Sequence, residues 1–240
     1  MFLAVFAILP IVGFAQSDDS SEVATPEVQS TEQPAAPKAG SEQIDKRIFG
    51  VLPNYRTADG SAPFVPITTK RKFIIASKDS FDYPVYLTSA LFAGLYQMEN
   101  QNPSFGQGLK GYGKRLASSY ADQAIGNLMT EAIFPSLLRE DPRYFRIGAG
   151  GGSKWHRMGY ALTRVLVVRT DKGKSDFNYS EWLGNGTSVA ISNLYYPSDT
   201  RNVADNAQKL GVAVATDAFS QVLKEFWPDI KHKLFNKRKS

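Results

Sequence analysis

Three charged side chains on predicted apolar helix faces are the strongest candidates for chemistry in this chain: Asp122, Asp217 and Arg164. A helical projection places Asp217 beside Leu210 and Val214, and Arg164 beside Tyr160, Ala161 and Val168. A charge on a buried face requires a partner, so these residues predict an aspartate–arginine network. Such a network either fixes the register of packed helices or supplies a perturbed acid for acid–base chemistry. The structural role is the simpler interpretation.

Other catalytic chemistries lack their usual residues. The 240 residues include no cysteine and only two histidines, His156 and His232. No Gly-x-Ser-x-Gly segment is present to support a serine nucleophile. Without cysteine, and with two distant histidines, a zinc site is not expected. The sequence therefore predicts neither a metal site nor a cofactor.

Two basic segments have the composition of an anion-binding or lipid-binding surface. The C-terminal segment after Trp227 mixes apolar and aromatic residues with basic ones, as membrane-surface segments do. The segment 140–146 carries two arginines that can hold a carboxylate or a phosphate. The candidate anion- or lipid-binding residues are Lys231, Lys233, Lys237, Arg238, Lys239, Arg143 and Arg146. The alternatives are a solubilising tail and a turn that joins helix ends.

A glycine-rich segment at 148–153 precedes a predicted helix that starts with Lys154, His156 and Arg157. It follows no strand and lacks the Gly-Lys-Ser/Thr order of a phosphate-binding P-loop. Amide groups and positive charge at a helix start favour an anion. An inter-helix turn is the preferred interpretation, with weak anion binding as the alternative.

The chain divides by composition into three parts. Residues 1–15 are apolar and end with small residues at Gly13 and Ala15, which is typical of a signal peptide. Residues 16–45 are acidic and contain no aromatic residue, which predicts a disordered linker. Residues 46–240 hold 27 Lys/Arg and 16 Asp/Glu, a net charge of +11, and form the predicted domain. A basic exported domain favours anionic lipid or an envelope polymer as partner and makes nucleic acid unlikely.

The domain is predicted to be all-α, with about six helices behind an extended arm over residues 48–67. The predicted helices cover about 68–81, 84–98, 109–138, 153–169, 179–195 and 200–226, the last one reaching past Pro228 in one interpretation. Thr68, Ser153 and Asp199 are the expected caps of three of them. Pro135 is expected to kink or end the third.

Small residues recur at a spacing of four on several helices. The pairs are Ala90 and Gly94, Ala117 and Ala121, Gly184 and Ser188, and Gly211 and Ala215. This spacing allows close helix packing and is common in membranes. Two uncharged windows, 83–98 and 182–198, are too short for a confident membrane span. A tightly packed helical domain is therefore preferred, and interfacial insertion stays open.

Three blocks, at 47–57, 120–127 and 140–146, resemble those of exported bacterial proteins of unknown function, and the likeness extends over most of residues 47–235. The resemblance implies a bacterial envelope setting and one shared domain, with no activity or functional residue attached. We therefore predict an exported, non-enzymatic envelope protein, periplasmic or peripheral to a membrane, that associates with anionic lipid or another envelope component. The alternative is a hydrolase or lipid-modifying enzyme that uses Asp122 or Asp217 with Arg164 or Arg143. The oligomeric state stays open.

Overall fold

The computed structural model describes residues 47–48 and 52–235, which fall within one compact unit of the chain. The predicted signal peptide, the acidic linker and the basic residues 237–239 lie outside these residues. The described part is largely helical, as predicted, but it is not purely α-helical because short strands link the helices.

Within residues 47–48 and 52–235, six helices of ten or more residues make up the framework. They are α1 (Thr69–Phe81), α2 (Tyr83–Met98), α3 (Gly108–Asn127), α5 (Lys154–Thr163), α6 (Tyr179–Ser192) and α7 (Val203–Phe235), with a short α4 (Phe134–Leu138) between α3 and α5. Thr68 and Ser153 cap α1 and α5 as expected, because their hydroxyls accept the amides of Arg71 and His156. Asp199 does not cap α7, since Asn202 accepts the amide of Asp205 instead.

Seven short strands accompany the helices in the described part of the chain. They are β1 (Arg47–Ile48), β2 (Leu52–Pro53), β3 (Thr57–Asp59), β4 (Glu140–Asp141), β5 (Tyr144–Arg146), β6 (Val167–Thr170) and β7 (Ser175–Phe177). Strands β1 and β2 are antiparallel, β3 pairs in parallel with β5, and β4, β6 and β7 form an antiparallel sheet. The predicted extended arm therefore joins the domain through the β3–β5 pair.

The fourth predicted helix is too long. Helix α5 ends at Thr163, and residues 167–170 form β6 instead of a last helical turn. The β-branched run Val167-Val168 favours a strand, and Asp171-Lys172-Gly173 turns the chain into β7 rather than capping a helix. Gly173 has a φ of +79°, a backbone conformation that residues other than glycine rarely adopt.

The third predicted helix changes its winding in the middle. Residues Leu128–Ile133 form a π-helical segment between α3 and α4, and Pro135 follows directly. Proline has no amide hydrogen and collides with the preceding helical turn, and a widened turn removes this conflict. The helix consequently continues through Pro135 to Leu138. The π segment contacts both α1 and α6, so it lies in the interior of the helical framework.

Gly184 permits the contact between α6 and the π segment. A Cβ atom at this position would lie 2.7 Å from Thr130 Cγ2 and 3.0 Å from the Thr130 amide nitrogen. The pair Gly184 and Ser188 is thus used for close packing, whereas Gly211 and Ala215 are exposed on α7.

We expect Gly184→Ala to destabilise the protein by about 1–3 kcal/mol, because the methyl group overpacks a backbone contact that cannot yield easily. The matched control is Gly186→Ala on the same helix, where a Cβ atom meets nothing within 4 Å. That substitution should be neutral or stabilising by up to about 1 kcal/mol through helix propensity. Urea unfolding followed by circular dichroism measures both, and equal stability of the two variants would contradict the packing argument.

Candidate functional site

A group of buried charged residues lies where the arm, α1, the π segment, α6 and α7 meet. It comprises Arg56, Asp79, Glu131, Glu181, Asp217 and Lys224 and is referred to below as the charge cluster. Four of these residues are acids and two are bases. All except Asp217 are buried, and the Asp217 side chain is 23% exposed. Buried charges are rare in proteins unless they are paired, so this concentration is the most unusual feature of the described interior.

Arg56 is the central cation of the charge cluster. Its Nη1 lies 3.0 Å from Glu131 Oε1 and its Nη2 lies 3.4 Å from Asp217 Oδ1. Asn185 Nδ2 donates to Glu181 Oε1 at 3.0 Å and to Asp217 Oδ2 at 3.3 Å. One arginine and one amide thus connect three carboxyl groups from the π segment, α6 and α7.

Two carboxyl groups of the cluster share an environment that favours a proton. Glu131 Oε2 and Asp79 Oδ1 are buried and have no hydrogen-bond donor. A proton held between the two carboxyl groups would satisfy both oxygens. Burial raises the pKa of Glu131 to about 8, opposed by Arg56 and supported by Asp79, and burial also raises the pKa of Asp79. We therefore describe Asp79 and Glu131 as a proton-sharing pair.

The pKa values of Lys224 and Glu181 also shift toward the uncharged form, whereas the pKa of Arg56 is raised and its guanidinium stays charged. Burial and the positive charge of Arg56 together lower the pKa of Lys224 to about 8, against the effect of nearby carboxylates. Burial and the neighbouring Asp217 raise the pKa of Glu181 well above its usual range. One proton shared by Asp79 and Glu131 and one on Glu181 would leave two negative charges to balance the two cations, which is the arrangement that low dielectric favours.

A cavity of about 230 Å³ borders the charge cluster. Arg56 and Glu181 belong to the cluster and also line this cavity. Its other walls come from β4–β6, α5 and the start of α6, and they include Arg164. The guanidinium of Arg164 stacks on the Tyr160 ring at 4.3 Å. The structure thus brings Asp217 and Arg164 to one region, linked through Arg56.

Asp122 lies in a different environment. Its carboxylate accepts the hydroxyl of Tyr195 at 2.5 Å and that of Tyr196 at 2.7 Å. The ammonium group of Lys209 lies 3.7 Å from the centre of the Tyr196 ring. Burial raises the pKa of Asp122, against these hydrogen bonds and Lys209. Asp122 does not line the cavity beside the charge cluster, so Asp122 and Asp217 do not form an acid–base pair in one shared cavity.

The candidate anion-binding arginines already hold carboxylates of the protein. Arg143 Nη2 contacts Asp141 Oδ2 at 2.6 Å, and Arg146 Nη2 contacts Asp229 Oδ1 at 3.2 Å. Lys231 and Lys233 are exposed near the end of α7. Of the seven basic residues predicted to bind an anion, these two are the described ones with exposed side chains.

The glycine-rich segment before α5 binds an internal carboxylate. Glu225 of α7 is completely buried, and it accepts the amides of Gly148 at 2.9 Å and Ile147 at 3.2 Å. Arg157 Nε donates to the same carboxylate at 2.8 Å, and the Tyr144 hydroxyl donates at 2.7 Å. An anion does lie at this loop, as the composition allows, but it is Glu225. The Glu225 anchor, as we name this set of contacts, joins α7 to β5 and α5.

Sequence reasoning missed six residues of the charge cluster and the Glu225 anchor: Arg56, Asp79, Glu131, Glu181, Lys224 and Glu225. Arg56 lies in the arm, where nothing marks it as buried. Glu131, Lys224 and Glu225 lie within largely apolar stretches, in Leu-Met-Thr-Glu131-Ala-Ile-Phe and Val-Leu-Lys224-Glu225-Phe-Trp. A charge inside an apolar run is the signal that could have identified these three.

Comparison of the chain with protein-family models, curated proteins and solved structures finds no match. The resemblance to exported bacterial proteins therefore stays a prediction. The function has to be argued from the described residues themselves.

Proposed function

We propose that this protein is a non-enzymatic protein of the bacterial cell envelope that docks on an anionic membrane through apolar outer faces of its helices. The observation that carries the proposal is that buried side chains are mostly polar while many large hydrophobic side chains are exposed. Among the described residues, 24 buried side chains are polar or charged and only 14 are hydrophobic, whereas 22 large hydrophobic side chains are exposed. Soluble domains show the opposite preference in their interiors.

Three helices expose faces that carry no charge. Helix α2 contains no charged residue and exposes Tyr86, Leu87, Leu91 and Phe92. The one charged residue of α6, Glu181, is buried, and its exposed side chains include Tyr179 and Leu183. In the first half of α7 the exposed residues run from Val203 to Phe219 without a charge. These exposed faces of α2, α6 and residues 203–219 are called the apolar outer surface below.

An apolar outer surface of this kind matches lipid rather than water. Large exposed apolar areas mark contacts with membranes or proteins. We favour a membrane because aromatic and aliphatic side chains share these faces, as in interfacial helices. The basic character of residues 46–240 adds attraction to anionic headgroups.

The dimensions favour shallow insertion. Helix α2 has 16 residues and is about 24 Å long, compared with a hydrocarbon core of about 30 Å. Within residues 47–48 and 52–235 no helix combines the length and apolar character that a membrane crossing requires. The proposal therefore places the apolar outer surface at the boundary between headgroups and acyl chains.

Co-sedimentation of the purified protein with vesicles tests this function. We expect binding to phosphatidylglycerol-containing vesicles at low salt, weaker binding to pure phosphatidylcholine, and a bound fraction that persists at high salt through apolar contacts. The double variant Leu87→Gln/Leu91→Gln, at side chains that are 61% and 50% exposed, should bind at least about tenfold more weakly.

The matched control replaces two exposed leucines outside the apolar outer surface. Leu109 on α3 and Leu137 on α4 are 87% and 72% exposed, so Leu109→Gln/Leu137→Gln should retain binding. All variants share the apolar residues 1–15, so any contribution of that segment to vesicle binding is the same in each variant. No binding of the native protein to anionic vesicles, or an equal loss in both double variants, would overturn the proposal.

A further inference from the structure

The cavity beside the charge cluster is lined by four arginines. They are Arg56, Arg143, Arg164 and Arg169. Two of them are neutralised locally, because Arg56 contacts Glu131 and Asp217 while Arg143 contacts Asp141. The other two lie against aromatic rings, Arg164 on Tyr160 at 4.3 Å and Arg169 on Phe145 at 4.2 Å.

Arg164 and Arg169 have no counter-charge in contact. In the part of the chain that the structure describes, no carboxylate lies within 4 Å of either guanidinium. Contact with an aromatic ring holds each guanidinium in place, and Arg164 Nε, which has no hydrogen-bond partner, is available to an oxyanion. Both arginines line the same cavity as Tyr160.

Three polar atoms around the same cavity are buried and lack a hydrogen-bond partner. They are Arg164 Nε, Ser180 Oγ and Gln221 Oε1. Ser180 is 2% exposed and Gln221 is 7% exposed. Buried polar atoms are normally paired, and an unpaired set around one cavity indicates a missing partner. The missing partner has to accept from Arg164 and Ser180 and donate to Gln221.

We propose that this cavity binds a phosphate group that retains one proton, either as hydrogen phosphate or as the singly ionised form of a phosphate monoester. A phosphate oxygen accepts from the edges of Arg164 and Arg169 and from the Ser180 hydroxyl. The remaining P–OH donates to Gln221 Oε1. A volume of about 230 Å³ admits this group together with a few waters.

The acidic residues of the cavity favour a protonated oxyanion over one without a proton. Asp141 is engaged by Arg143, and Glu140 Oε2 accepts the Ser180 amide at 2.9 Å. Glu181 also lines the cavity. Carboxyl oxygens repel an oxyanion that cannot donate and accept a hydrogen bond from one that can. Phosphate near neutral pH carries such a proton, and sulfate does not.

Isothermal titration of the purified protein with sodium phosphate and with sodium sulfate tests this site. We expect one phosphate per chain, bound about fivefold more tightly than sulfate through the additional hydrogen bond. The double variant Arg164→Gln/Arg169→Gln should bind phosphate at least tenfold more weakly. Gln221→Met should lose the preference for phosphate over sulfate.

The matched control is Lys70→Gln/Arg71→Gln, which removes two exposed positive charges from α1 outside the cavity. It should bind phosphate like the native protein, and circular dichroism should show all variants folded. Arg164→Lys keeps the charge but loses the planar fork, so an intermediate affinity is expected.

A second set of binding measurements, with glycerol 3-phosphate and with vesicles that contain phosphatidic acid, shows whether the phosphate belongs to a soluble molecule or to a lipid headgroup. Binding of glycerol 3-phosphate assigns the site to a soluble monoester. Binding of the vesicles alone, abolished by Arg164→Gln/Arg169→Gln, assigns it to a lipid headgroup. No phosphate binding in either arm, or an unchanged affinity in the arginine double variant, would overturn the inference. Leu87→Gln/Leu91→Gln leaves the cavity intact, so failure of the membrane proposal can be told apart from failure of this one.

Discussion

Replacing Glu225 with glutamine is expected to cost about 3–5 kcal/mol of folding free energy, which makes it one of the most damaging single changes in the protein. Its carboxylate is completely buried and accepts hydrogen bonds from Tyr144, Ile147, Gly148 and Arg157. All four partners are donors. The amide group of glutamine turns a donor toward one of them and leaves Arg157 without its buried counter-charge.

Thermal unfolding followed by circular dichroism measures this loss, and a fall in Tm of about 10 °C is expected for a domain of this size. Asp229→Asn is the matched control. Asp229 also contacts Arg157, and it contacts Arg146 as well, but its side chain is 33% exposed. Water screens that pair, so a cost of at most about 1 kcal/mol is expected. Equal destabilisation by the two variants would show that the buried Glu225 anchor contributes no more to stability than the partly exposed contacts of Asp229.

The second large effect is a dependence of stability on pH that comes from Glu131. Burial raises the pKa of this carboxyl from 4.5 to about 8 in the folded protein. Between these values the folded state keeps a proton that the unfolded chain has released. The stability contribution is thus complete below pH 4.5 and is lost as pH rises through about 8, with a slope of up to about 1.4 kcal/mol per pH unit.

Urea unfolding midpoints across this pH range test the expectation. Glu131→Gln has the shape of the protonated acid and should flatten the profile, while the exposed isosteric control Glu99→Gln should leave it unchanged. Lys224 adds the opposite trend at higher pH, because burial lowers its pKa from 10.5 to about 8. Its folded form has lost a proton that the unfolded chain still holds, so stability rises from about pH 8 to 10.5. A flat native profile would contradict both assignments.

The helical framework was predictable because it depends on local signals. Thr68 and Ser153 act as caps, Pro84 lies in the first turn of α2, and apolar periodicity marks the helices between them. Strands β6 and β7 form a local hairpin, and its signals, Val167-Val168 and the turn at Asp171-Lys172-Gly173, were interpreted as the end of a helix. The pairing of β6 with Glu140–Asp141, more than 25 residues earlier in the chain, is long-range. Such pairing leaves no trace in a local pattern. The π segment is likewise set by hydrogen bonding that residue types alone do not reveal.

For the candidate site, the sequence predicted that Asp217 needs a cationic partner, but not which residue provides it. Asp217 on an apolar face required a cation, and the cation that contacts it is Arg56, from 161 residues earlier in the chain. Arg164, which the sequence analysis predicted to belong to such an aspartate–arginine network, lines the neighbouring cavity instead. Burial of a charge can be inferred from its neighbours on a helix, but the choice among arginines depends on tertiary packing.

The position of Glu225 and Asp229 near the end of α7 has a consequence for biosynthesis. Arg157 emerges from the ribosome long before the two carboxylates that neutralise it, because they lie 68 and 72 residues later. Likewise, Asp217, which contacts Arg56, is synthesised 161 residues after it. The interior therefore cannot be completed before the last helix is synthesised, and a chain terminated ahead of residue 225 would lack both acidic partners of Arg157.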